Sequence, residues 1–120
     1  MKKIAYILFA SIILISCAAK DENKKTEKIE VATATQRLGE QYYNAGKFTL
    51  ALKNLLEAYN TIPDDPYLNN SLGLIYMAKD RYDLAQNHFL KALKIKSDYS
   101  QAKNNLGATY LKQQKWDLAI

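Results

Sequence analysis

The sequence predicts an all-α protein built from a helix-turn-helix unit that repeats every 34 residues, and three observations lead there. A shift of 34 aligns Leu38 with Leu72 and Leu106, Gly39 with Gly73 and Gly107, and Tyr42 with Tyr76 and Tyr110, with no gap. Apolar residues within each unit recur at helical spacing. The chain of 120 residues holds only four Gly and two Pro with a high share of Ala, Leu, Lys, Asn and Tyr, which points to helices. Composition also narrows function. One Cys and one His exclude a disulfide framework, a Cys-based metal site and most His-dependent catalysis. A net charge of +5, with Lys2 and Lys3 in the leader and no basic cluster in the repeats, argues against a dedicated nucleic-acid binder.

The first element is a leader. Met1-Lys2-Lys3 is a short positive region, and Ile4 to Ile15 is an apolar run of twelve residues. A helix of that length rises about 18 Å, short of a hydrocarbon core of about 30 Å, so the run reads as a secretory signal over 1–16. Leu14-Ile15-Ser16-Cys17 resembles the lipobox of bacterial lipoproteins. That resemblance implies cleavage before Cys17, lipid on its sulfur and amine, and stable anchoring through two or three acyl chains. Ala18 follows the Cys where inner-membrane retention in Gram-negative cells favours Asp, which implies the outer membrane, facing the periplasm; in a cell with one membrane the domain would face outward. The stretch 17–31, AAKDENKKTEKIEV after the Cys, is charged between Lys20 and Lys28 and reads as a flexible, solvated tether reaching about 20 Å.

The repeats occupy 32–120 and divide as 32–65, 66–99 and an incomplete 100–120. In the first unit Leu38 and Tyr42 lie along one helix, the Ala45-Gly46 pair leads into a turn, and Phe48, Ala51, Leu52, Leu55, Ala58 and Tyr59 form the apolar face of a second helix. Phe48, Tyr82 and Trp116 match under the shift, as do Leu50, Leu84 and Leu118, and Ala51, Ala85 and Ala119. The recurring Gly and Ala sit where two helices approach closely. Asp65 is placed to cap the next helix and Pro66 to open it; Asp98 and Ser100 are the capping candidates at the following boundary. In the third unit a second helix is expected to start near Trp116. Trp116, Leu118, Ala119 and Ile120 would then show an apolar face without a partner, so the sequence reads as part of a longer protein.

This pattern resembles the tetratricopeptide repeat: Leu-Gly then Tyr in the first helix, Ala with a large apolar residue in the second, Ala three residues on, and Pro63 closing the first unit. The family's early Trp is replaced by Thr35, Asn69 and Lys103. The resemblance implies a superhelix with its first helices on the concave side and a groove that binds protein. In the family's ligand positions stand Gln36, Glu40 and Tyr43, with Thr33, Arg37 and Asn44. Unit two places Tyr67, Asn70, Leu74 and Met77 there, with Ser71 and Ala78. Unit three places Asn104 and Leu111, with Gln101, Asn105, Ala108 and Lys112. Gln36, Asn70 and Asn104 recur at one position, and their amides can donate to and accept from an extended backbone. The clamp that chaperone-binding members use for a terminal carboxylate requires cations, and Gln36, Glu40, Ser71, Gln101 and Asn105 supply none.

No Gly-rich phosphate loop is present. His88 is expected as a surface helix residue, and Asp64, Asp65 and Asp80 as turn and cap residues. The expectation is therefore a lipid-anchored adaptor with a protein or peptide partner, no catalysis, no cofactor, no metal, no nucleic acid and no small-molecule substrate. Leader, tether and immediate repeats are together similar to the pilotin-type lipoproteins of type IV pilus biogenesis, which implies assistance to secretin assembly. The competing expectations are an adaptor for peptidoglycan enzymes or proteases, and the repeat module of a larger envelope protein.

Overall fold

The computed structural model describes residues 2–119, without the side chains of Trp116, Leu118 and Ala119. Five helices follow in order: α1 Lys2–Asn44, α2 Phe48–Tyr59, α3 Pro66–Ala78, α4 Tyr82–Ile95 and α5 Ser100–Ala119. The chain divides into two units, Met1–Val31 and Ala32–Ile120.

Met1–Val31 differs from expectation in one respect. Lys20 to Lys28 is solvent-exposed, as expected of a tether, but it is helical rather than coil. Between Met1 and Gly39 there is no Gly or Pro, Lys, Glu and Ala propagate helix well, and Asp21 stands four residues before Lys25. A helix over 17–31 spans about 21 Å, close to the reach expected of a coil. An 18-residue window of α1 has mean hydropathy 1.8 and no burial. By length and composition α1 can cross a membrane, a test that an N-terminal signal also passes.

Ala32–Ile120 carries the core. Ala51, Leu55, Ala58, Leu68, Leu72 and Ile75 form one buried cluster joining α2 to α3, with Tyr42, Tyr43, Leu52, Tyr59, Ile62 and Tyr76 packed against it. Ala92, Tyr99 and Ala102 form a second, joining α4 to α5. The small residues let the helices close up: Ala51 and Ala85 are fully buried at matching places. Leu72 is fully buried, whereas its counterpart Leu38 is 42% exposed. Repeats bury their interfaces against neighbours, and a neighbour covers this position in the second unit but not in the first.

The turns inside the first two units are the same turn. Lys47 N–H donates to Tyr42 O and Gly46 N–H to Tyr43 O; 34 residues later Arg81 N–H donates to Tyr76 O and Asp80 N–H to Met77 O. This is the paired capping pattern that ends a helix with one left-handed residue. Gly46 has φ 75° and Asp80 φ 59°. Gln114 stands at the same place in the third unit. Among the described residues the expected turn is absent there and α5 runs on to Ala119. Gln lacks the ease of Gly or Asp in the left-handed region. The apolar face expected of Trp116, Leu118, Ala119 and Ile120 lies outside the described side chains.

At the boundary between units one and two, Asp65 is the N-cap of α3, its Oδ1 accepting from Leu68 N–H at 2.7 Å, with Pro66 in the first turn. At the next boundary Asp98 pairs with Lys96 at 3.4 Å.

Candidate binding groove

A concavity of about 410 Å³ opens along the first helices of the units. Thr33, Gln36, Arg37 and Glu40 line it from α1, Tyr67, Asn70 and Ser71 from α3, and Gln101 from α5, with Asp65 and Tyr99 closing it from the boundary turns. Helical spacing explains the set: Thr33, Gln36, Arg37 and Glu40 recur at three and four residues and so share one face of α1, as do Tyr67, Asn70 and Ser71 on α3.

The side chains hold one another in place. Glu40 Oε1 accepts from Gln36 Nε2 at 3.0 Å and from Ser71 Oγ at 2.9 Å, tying α1 to α3. Asn70 Oδ1 accepts from Asn105 Nδ2 at 3.0 Å, tying α3 to α5. Tyr67 and Tyr99 meet edge to face, with ring centroids 5.3 Å apart. Tyr99 is almost buried and Tyr67 half exposed. Burial pushes the Tyr99 phenol up from its usual value, and the charges of Tyr67, Glu40 and Asp65 push it the same way.

Of the residues at the family's ligand positions, Gln36, Glu40, Tyr67 and Asn70 come together in this concavity with Thr33, Arg37, Ser71 and Gln101. Tyr43, Leu74, Met77, Asn104 and Leu111 are not in its lining. Tyr43 packs on the core and its ring lies 5.6 Å from that of Phe48. Leu74 and Met77 are half-buried, and Met77 Sδ accepts from Thr109 Oγ1 at 3.3 Å. Leu111 is exposed on α5. Gln36 and Asn70 are buried while Asn104, at the same repeat position, is exposed. The first two lie beneath a following unit, and among the described residues none follows α5. Asp65 and Tyr99 escaped the position-based choice because each closes one unit instead of lying inside a helix. The 34-residue shift relates them to each other and would have found them.

His88 departs from the expectation of a plain surface residue. Its ring stacks on Tyr76 at 5.5 Å and meets Tyr59 edge-on at 5.7 Å. Asn69, fully buried where the repeat pattern expects Trp, donates through Nδ2 to Pro63 O and Asp65 O. That orients its Oδ1 toward His88 Nδ1, 3.0 Å away, so the imidazole carries its proton on Nδ1 and donates. Beside it Lys91 Nζ donates to Tyr59 OH at 2.8 Å and pairs with Asp64 at 3.5 Å. Among the described residues no group of three or more His, Cys, Asp or Glu gathers to hold a metal ion. Cys17 is exposed and carries no disulfide.

Residues 73–114 match the family described as TPR repeat. No curated protein matches the chain in sequence. The second TPR of Spaghetti (RPAP3) bound to the HSP90 peptide SRMEEVD superposes with a TM-score of 0.71 at 17% identity, over 79% of this chain and 87% of that one. The second TPR domain of human RPAP3 in complex with the HSP70 peptide SGPTIEEVD gives 0.64 at 18% identity, over 73% of each. The APC/C hetero-tetramer Cut9-Hcn1 gives 0.67 at 29% identity, over 72% of this chain but 18% of that one. The fold is therefore that of the tetratricopeptide repeat, and residues 73–114 match that family in sequence as well.

Proposed function

We propose that the chain is a membrane-anchored scaffold that holds a peptide segment of a partner protein in the groove formed by α1, α3 and α5. The observation that carries this reading is the concavity itself. Side chains from all three units converge on it, held by hydrogen bonds between helices, so its shape is set before a ligand arrives. Little ordering entropy remains to oppose binding, the general advantage of preorganisation. Gln36 and Asn70 are engaged with Glu40 and Asn105, which leaves the exposed Tyr67 and Gln101 of the lining to meet a partner. Solved relatives of this fold are described with peptides bound, which supports the same use here.

The anchor is Cys17. It is exposed, it follows the apolar stretch of α1, and the four residues ending in it have the lipobox pattern. Lipid there would tie the repeats to a bilayer through 17–31, on the periplasmic face of an outer membrane. The pilotin-type resemblance makes secretin subunits the first partners to test, and peptidoglycan enzymes or proteases the second.

In-cell photocrosslinking from positions 67 and 101 of the complete reading frame tests the scaffold reading, with position 87 on the exposed side of α4 as control. Discrete adducts from 67 and 101 that are missing from 87 are expected, in a membrane fraction that Cys17→Ser depletes. Equal adducts from all three positions, or none from 67 and 101, would remove the groove as a working surface. Unchanged membrane retention and unchanged palmitate incorporation in Cys17→Ser would remove the lipid anchor.

A further inference from the structure

The groove has a charge character that the peptide-holding role leaves unspecified. Glu40 is fixed in it by two neutral donors, Gln36 Nε2 and Ser71 Oγ. Among the described residues the ion pairs are Arg81–Asp83, Lys91–Asp64 and Lys96–Asp98, none of which involves Glu40. Asp65 adds a second carboxylate, one oxygen of which is engaged in capping α3. Two phenol rings, Tyr67 and Tyr99, stand against these acids. The one cation in the lining is Arg37, exposed and one turn before Glu40.

Such a surface is complementary to a positive charge. A guanidinium or ammonium group laid against the exposed Tyr67 ring gains cation–π attraction. It also reaches a carboxylate that is already desolvated in part and held still by Gln36 and Ser71, which strengthens a charge-assisted bond. An acidic side chain in the same place would meet two like charges and only Arg37 to offset them. We propose that the groove recognises its partner through a Lys or Arg side chain on an extended peptide segment. This rests on the peptide-holding role above and adds the ligand's charge, opposite to that of the acidic SRMEEVD and SGPTIEEVD peptides bound by the relatives.

The test is fluorescence anisotropy with the full chain in non-ionic detergent and three labelled peptides. Each is a short Ala/Ser/Gly peptide with a pair of central residues that are Lys, Glu or Gln. The Lys peptide is expected to bind about tenfold more tightly than the Glu peptide at low salt, the difference one charge-assisted contact supplies, and to lose the margin as salt rises. Glu40→Gln keeps an acceptor for Ser71 and should erase the preference. Arg37→Gln, at an exposed position, should enlarge it. Equal binding of all three peptides, weakened by Tyr67→Ala, would overturn the charge selectivity and leave the groove a peptide site. Tighter binding of the Glu peptide would overturn it too. Binding of none, or binding indifferent to Tyr67→Ala, would overturn both readings.

Discussion

Gly73 and Phe89 share a space that admits no methyl group: a Cβ on Gly73 would lie 2.5 Å from Phe89 Cε1 and 2.7 Å from Cδ1 and Cζ. The ring is fully buried, so it has nowhere to retreat. Gly39 faces Leu55 at 2.8 Å, a flexible side chain, with Ala51 O at 3.2 Å behind it, and among the described residues Gly107 faces nothing within 4 Å. Glycine recurs at 34-residue intervals because the second helix of a unit crosses the first there.

The three glycines should therefore respond differently to alanine. Gly73→Ala is expected to cost about 1–2 kcal/mol, overpacking outweighing the gain in helix propensity. Gly107→Ala should stabilise by about 0.5–1 kcal/mol, since only propensity is at stake. Gly39→Ala should fall between. Urea unfolding followed by circular dichroism, with the three variants in the same detergent, gives the order directly. A stabilising Gly73→Ala would contradict the close crossing of α3 and α4.

What the sequence disclosed follows the same logic. The unit, its helices and the Asp65 cap were legible because each depends on residues a few positions apart or on the 34-residue recurrence. His88 was not, because its partner Asn69 lies 19 residues away and the pair has no counterpart in the first unit, where Thr35 and Asn54 stand. The groove was half legible. Repeat position picked out Gln36, Glu40, Tyr67 and Asn70, but it also picked Tyr43, whose ring turns to Phe48. Position within a helix fixes a face, and packing then decides which side chains on that face stay free.

The turn residues give a second contrast. Gly46 adopts φ 75° with no atom near a Cβ, so Gly46→Ala meets only backbone strain and should cost about 1 kcal/mol. Asp80 already bears the strain of φ 59°, in part offset by the bond its Oδ1 accepts from Tyr82 OH at 2.9 Å. Asp80→Gly relieves the strain but loses that bond, and should change stability by less than about 0.5 kcal/mol. A β-branched Asp80→Val loses the bond and worsens the strain, so it should cost about 1–2 kcal/mol. Thermal unfolding of the three variants measures these steps, and an Asp80→Val protein as stable as the parent would mean that the turn does not hold its left-handed residue.

Stability should depend on pH near neutrality through one residue, since His88 is the only histidine in the sequence. Burial holds its pKa below the usual 6.5, and Lys91 on the next turn of α4 lowers it further. Around the ring stand the phenols of Tyr59 and Tyr76, Asn69 of α3, and the Lys91–Asp64 pair. Asp64 is drawn to Lys91, and Asn69 Oδ1 is satisfied by the neutral Nδ1–H, so no free carboxylate is at hand to favour the imidazolium. The sign follows. Above the unfolded value both states are neutral at His88 and stability is at its full level. As pH falls through 6.5 the unfolded chain takes up the proton first, so stability declines, and it levels off once the folded-state pKa has been passed. Carboxylates titrate mainly below pH 5, so the slope between pH 7 and pH 5 belongs to His88. Urea midpoints should fall over that interval in the parent. In His88→Gln, which keeps a donor without a titrating group, they should stay flat. A parent midpoint that is constant from pH 7 to pH 5, or a slope that survives in His88→Gln, would show that the ring is not held neutral between Tyr59 and Tyr76.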